Sequence, residues 1–228
     1  MPAMQETLLQ AAALILPLIV AIVFHEVAHG YVAWLLGDPT AHERRRLSLN
    51  PLRHVDPIGT IVVPGALALA HLPTFGWAKP VPVDKRRLRN PRIGMMVVAA
   101  AGPLTNLVLA GVGAVVLGVL ARYAAPGPVA DFAGLSLQYF LFINCSLALF
   151  NLLPIPPLDG SHIVEGALPR RAAQAYARMR GLGFGLLLLL LVVVPQIWPS
   201  LGLTRHLARP IMWTVNQYLA LANAVAGG

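Results

Sequence analysis

"LLQAAALILPLIVAIVFHEVAHGYVAWLLG" (residues 8–37) is one apolar run that carries two histidines and a glutamate towards its end. Residues 8–36 predict a single long helix, closed by Gly37-Asp38-Pro39, because glycine caps a helix end and proline cannot continue it. A bilayer core of about 30 Å takes roughly 20 helical residues, so the run is long enough to cross one. Ionisable side chains inside such a helix are costly and tend to face a water-filled cavity or a functional site. His25, Glu26 and His29 therefore require partners.

The rest of the chain supports a membrane setting. Of 228 residues, 57% are hydrophobic and only 11% charged, far below the roughly 25% charged content of a soluble domain. Residues 93–120, 135–153 and 183–194 predict further membrane helices, the last terminated by Pro195. Residues 58–72 are apolar but short for a span, and Pro64-Gly65 interrupts them, which fits either a segment that dips into the bilayer and returns or a kinked true span. In "FGWAKPVPVDKRRLRNPR" (75–92), prolines alternating with valines predict an extended edge or hairpin. "RRAAQAYARMR" (170–180) predicts a basic amphipathic helix at the membrane surface. Residues 211–226, apolar but holding Asn216, Gln217 and Asn223, fit either a final span or an interfacial helix.

The expected fold is thus an all-α polytopic membrane protein with about four to six membrane segments. It includes a re-entrant segment and a short β-hairpin-like loop on the cytoplasmic side. With no repeat of 20 to 50 residues, residues 1–228 form a single membrane-embedded domain. No basic residue precedes the first apolar run, which argues against a cleaved signal peptide. The formal charge of +8 marks cytoplasmic loops rather than nucleic-acid binding. A lone cysteine, Cys145, excludes an internal disulfide and a cysteine-based zinc cluster, so any metal must be held by histidines and carboxylates.

His25 and His29 are four positions apart and lie on one helix face, one turn apart, where two imidazoles can chelate one ion. Glu26 stands about 100° round the helix from His25, near enough to serve a metal site as a general base without being a ligand. This HExxH pattern is the arrangement zinc metalloproteases use. A catalytic zinc normally takes three protein ligands, so a third is expected elsewhere. Asp159 in "NLLPIPPLDG" (151–160) stands out, with His162 and Glu165 as the other candidates; a turn or capping aspartate is the plain alternative for Asp159.

"HEVAH" (25–29), "GPLTN" (102–106) and "NLLPIPPLDG" (151–160) together resemble the site-2 protease family of intramembrane zinc metalloproteases, whose marks are HExxH, GPxxN and NxxPxxxLDG, here in the family's order. "FGWAKPVPV" resembles the loop these proteins carry between the first two motifs, and the similarity spans roughly residues 8–165. The chain is similar to compact members without PDZ or CBS domains. The resemblance implies His25, His29 and Asp159 as ligands of one Zn2+ and Glu26 as the base that activates water. It also implies Asn106 and Asn151 as substrate-binding amides near the scissile peptide. An amide side chain can hold an extended backbone or support a developing oxyanion; the plain alternative is a helix-to-helix hydrogen bond of about 0.6 kcal/mol.

Topology gives a separate check. The histidines lie towards the C-terminal end of the first helix and Asp159 just past the end of the 135–153 helix, so both ends must face one side to share an ion. That requires residues 58–72 to re-enter rather than cross. Fourteen of the seventeen Lys and Arg residues then fall on that side, leaving Arg122, Arg205 and Arg209 opposite, and the positive-inside rule makes the crowded side cytoplasmic. The expected partners are the lipid bilayer and a transmembrane protein substrate, in a prokaryotic inner membrane. A catalytically silent membrane binder and a metal or proton transporter are the rival readings; no second acidic or histidine cluster sits deep in another span to favour transport. His42, His54, His71 and His206 sit in or near loops and carry no such argument.

Overall fold

Within hydrocarbon every backbone N–H and C=O must find a partner inside the protein, and a helix satisfies them within one segment. The computed structural model describes residues 2–69 and 76–228, and its long apolar runs are helices. Four are long and apolar enough to cross a membrane: Leu8–Leu35, Pro91–Tyr123, Pro128–Asn151 and Arg180–Ile197. We name the helices α1 (Pro2–Leu35), α2 (Pro91–Tyr123), α3 (Pro128–Asn151), α4 (Asp159–Ala167), α5 (Arg170–Arg178), α6 (Arg180–Ile197) and α7 (Leu203–Ala226). Shorter turns join them.

Local chemistry sets the ends. Gly37 terminates α1 at φ +107°, a left-handed conformation that favours glycine. Asn90 caps α2 by accepting from Ile93 N at 3.2 Å, with Pro91 at the first helical position. Asp38, fully buried just past α1, accepts from Thr40 N at 3.0 Å and from Asp84 N at 2.6 Å. That single carboxylate ties the end of α1 to the segment leading into α2.

α2 is the central helix and packs against α1, α3, α4 and α7. It runs antiparallel to α1 and α3, and small residues make the close approach possible. Ala110 and Ala114 on α2, Leu141 and Cys145 on α3, and Val215 and Ala222 on α7 form one buried cluster. A Cβ on Gly118 would lie 2.7 Å from Val225 Cβ, the close contact that small residues allow between helices in membranes. Tyr218 Oη donates to Leu107 O at 2.9 Å, and Gly227 lies near Arg122, so α7 runs parallel to α2. The stretch 211–226, for which the sequence left two readings open, therefore packs into the bundle. The outward faces, with Leu16, Val108 and Val112 exposed, suit contact with lipid.

Between α1 and α2 the chain makes an excursion. Asp56 caps a π-helical turn, Pro57–Val62, which continues as Val63–Leu69. Residues 70–72 of the expected re-entrant stretch lie outside the described residues, as does His71. The two ends of the excursion meet: Trp77 N donates to Gly59 O at 3.1 Å and Lys79 N to His54 O at 2.8 Å. Among the described residues there is no β-strand; residues 76–84 form an extended segment lying across α1. Arg170–Arg178 is a helix without a buried residue, as its basic amphipathic sequence predicts.

Candidate metal centre

The helical spacing of His25 and His29 places both imidazoles on the α1 face that meets α2. There Gly102 makes room for them. A Cβ at Gly102 would overlap His29 Nε2 and lie 2.6 Å from His25 Cε1. Asp159 arrives at the same end of the bundle, because α3, like α1, runs antiparallel to α2 and finishes beside it. α3 ends at Asn151, the chain turns back through residues 152–158, and α4 begins at Asp159. Gly160 permits that turn, since a Cβ there would overlap the carbonyls of Leu152 and Leu153.

These elements bring three atoms to one point. His25 Nε2 and His29 Nε2 are 3.1 Å apart, and Asp159 Oδ2 lies 3.2 Å from the first and 3.3 Å from the second. Among the described residues this is the one converging trio of possible metal ligands. Zinc–ligand distances of about 2.0–2.2 Å in tetrahedral geometry put neighbouring ligand atoms roughly 3.3 Å apart. The triangle has those edges.

The far sides of the rings decide the proton positions. His29 Nδ1 donates to Val98 O at 2.7 Å, and a carbonyl can only accept. His25 Nδ1 donates to Asn106 Oδ1 at 2.6 Å. In each neutral ring Nε2 is then the unprotonated nitrogen, with its lone pair turned towards Asp159. Oδ2 of Asp159 is buried and accepts no conventional hydrogen bond. Three buried lone-pair donors facing one another make a poor hydrogen-bond cluster and a good cation site. The donor set fits zinc.

Glu26 stays off this triangle. Its Oε2 accepts from Val81 N at 2.8 Å, so the extended segment lies directly over the carboxylate. Asn106 is fully buried, and its amide is engaged throughout: Nδ2 donates to Ala21 O at 3.2 Å and to Asn144 Oδ1 at 2.7 Å, while Oδ1 faces His25. Its reading as a substrate-holding amide thus meets a side chain turned wholly towards protein partners. Asn151 donates to Leu147 O of its own helix at 2.9 Å. His162 and Glu165, the other candidates for the third ligand, both contact Arg180 instead. Burial, with the Arg180 cation beside it, pushes the His162 imidazole down to about 4.

Two contributors escaped the sequence reading. In the sequence Gly102 stands out only as the first letter of GPLTN. Asn144 lies in none of the three motifs, and its one sequence signal is an asparagine inside an apolar span.

Known proteins extend the picture. The model of the family described as Peptidase family M50 matches residues 125–193. YwhC of Bacillus subtilis, described as a zinc metalloprotease, is 39% identical over 198 residues, covering 84% of this chain and 87% of the relative. Rip2 of Mycolicibacterium smegmatis, also described as a zinc metalloprotease, is 31% identical over 185 residues, or 81% of this chain and 66% of the relative. MJ0611 of Methanocaldococcus jannaschii, so described too, is 40% identical over 68 residues, or 30% and 32% of the two chains. No solved structure matches the chain. Identity of this order, sustained along most of two chains of similar length, establishes kinship: the chain belongs to peptidase family M50, the site-2 protease family of intramembrane zinc metalloproteases.

Proposed function

We propose that the protein hydrolyses peptide bonds in or near transmembrane segments of membrane-protein substrates, with His25, His29 and Asp159 as ligands of one zinc ion and Glu26 as general base. The observation that carries this reading is the triangle of His25 Nε2, His29 Nε2 and Asp159 Oδ2, with edges of 3.1, 3.2 and 3.3 Å and both ring tautomers set by bonds on the far side. A zinc ion bound there supplies a Lewis acid that polarises the scissile carbonyl and brings the pKa of a water molecule towards about 7. The chain's own groups do the rest. Val81 N–H steadies one oxygen of Glu26, leaving the other to take a proton from the attacking water and hand it to the departing amine. Asn106 holds His25 in the ligating tautomer. Asn151 keeps one amide hydrogen for a substrate carbonyl.

A substrate helix has its carbonyls locked in hydrogen bonds and must unwind locally before attack. The extended residues 79–83, acting as the hairpin-like edge read from the sequence, pair with the unwound stretch by strand addition. Residues 58–72 re-enter rather than cross, a reading supported by the meeting of the excursion's ends at Gly59 and Trp77. The site then faces the side carrying most of the basic residues, the cytoplasmic side of a prokaryotic inner membrane; because α7 runs parallel to α2, Arg205 and Arg209 at its start fall on that side too, and not opposite as the sequence alone suggests. Residues 1–228 act as one membrane-embedded domain.

The decisive experiment measures zinc content and cleavage of a panel of single-span peptides together, for the parent protein, Glu26→Gln and Asp159→Ala. The expected pattern is one zinc and cleavage for the parent, zinc without cleavage for Glu26→Gln, and neither for Asp159→Ala. Cleavage that survives Glu26→Gln, or a parent free of zinc after purification without chelators, refutes the assignment.

A further inference from the structure

Resting on that reading of the metal centre, we propose that Asn144 is a positioning residue for the zinc site: through Asn106 it sets the proton position on His25, and so the affinity for the metal. Asn144 lies on α3, more than a hundred positions from His25 in sequence and in none of the three motifs. It is fully buried, as is Asn106, between the apolar Leu141 and Cys145.

The hydrogen bonds permit one arrangement. Asn144 Nδ2 donates to Phe140 O at 2.9 Å. That partner is a backbone carbonyl and only accepts, so the NH2 end of Asn144 faces Phe140 and its Oδ1 faces Asn106. Oδ1 takes a hydrogen from Asn106 Nδ2 at 2.7 Å, and the second hydrogen of that NH2 goes to Ala21 O at 3.2 Å. With both of its amide hydrogens committed, Asn106 presents Oδ1 to His25 at 2.6 Å. An oxygen there requires Nδ1 of His25 to carry the hydrogen, which leaves Nε2 bare on the metal side. Each amide is thus oriented by an acceptor that cannot reverse its role. The relay begins on α3, crosses α2 and ends on α1.

His29 needs no such relay, because Val98 O fixes its tautomer directly. Asn106 alone bonds His25 in two orientations; with its amide turned over, NH2 would face Nδ1 and favour the hydrogen on Nε2, where it blocks the metal. Ala21 O and Asn144 Oδ1 are the two acceptors that oppose the turn. Removing Asn144 Oδ1 takes away the shorter of the two bonds. The effect expected is on ligation at His25 rather than on the packing of the bundle.

The test uses the full chain in detergent and the metal alone as probe. Zinc affinity is measured by competition with a chromogenic chelator, and the ligand-field spectrum is recorded with cobalt in place of zinc, for the parent, Asn144→Leu, Asn144→Ala, Asn106→Leu and the Asn106→Leu/Asn144→Leu double variant. Removing an outer-shell partner of a ligating histidine weakens metal binding about 10- to 100-fold, and the lower end is expected for both Asn144 variants, with displaced cobalt bands. In the Asn106→Leu background, adding Asn144→Leu should change affinity by less than about twofold, because the relay is already cut. Parental affinity and cobalt bands in both Asn144 variants would overturn the proposal. So would a loss that multiplies fully with that of Asn106→Leu, or failure of both Asn144 variants to fold, since Asn144 would then serve the bundle instead. A parent that binds no zinc overturns the metal-centre reading itself, a different result from either.

Discussion

Gly102 shows how much a single missing atom does at the centre. Its Cα faces both imidazoles, and a methyl group there would occupy the space of His29 Nε2. Gly102→Ala should therefore lower zinc affinity at least about tenfold, as loss of a ligand's support does, while the helical circular dichroism stays at the parental level; chelator competition reads the first and a melting curve the second. On the proposed reading Glu26 serves the reaction and not metal binding. Glu26→Gln keeps the shape and the bond from Val81 N but loses the proton acceptor, so turnover should fall about 10²- to 10⁴-fold with zinc content unchanged by elemental analysis. The two histidines and Glu26 were legible from sequence because their relation is local: a spacing of four on a helix is geometry in itself. The duties of Gly102 and Asn144 were not, because each depends on which residue of another helix stands opposite.

At the scale of elements, the extended segment over α1 is the part that couples fold to chemistry. Val81 gives Glu26 a hydrogen bond, and Arg46 Nη2 donates to Lys79 O at 2.8 Å, so the segment is held at two nearby points. Val81→Pro removes the N–H and any strand pairing through it. A hydrogen bond to a charged group is worth about 1.5–3 kcal/mol, so cleavage should slow about 10- to 100-fold with zinc still bound; a variant that cuts at the parental rate would end the idea that this segment engages Glu26 and substrate. The prolines at 80 and 82 signalled extended chain in the sequence. Its contact with Glu26 did not show there, since nothing in residues 79–83 specifies which side chain they lie across.

For the whole molecule, the bundle brings Asp159 to the His25–His29 turn, and in the proposed topology most basic residues gather on one side. Single cysteines introduced at Arg171 and at Arg122, in a Cys145→Ser background, should react with a membrane-impermeant maleimide from opposite sides of sealed vesicles, Arg171→Cys from the cytoplasmic side; labelling of both from one side would contradict the topology. Composition and hydropathy determined the membrane setting and the main helices, because lipid admits few backbone solutions and apolar length alone reports them. Motif spacing determined the histidine pair and singled out a distant carboxylate. Only the tertiary structure decided that Asp159 rather than His162 or Glu165 meets the imidazoles, that residues 211–226 pack along α2 and α3, and that buried amides from two helices hold His25. Such facts are distances between segments remote in sequence, set by how small residues let helices approach, and no local pattern carries them.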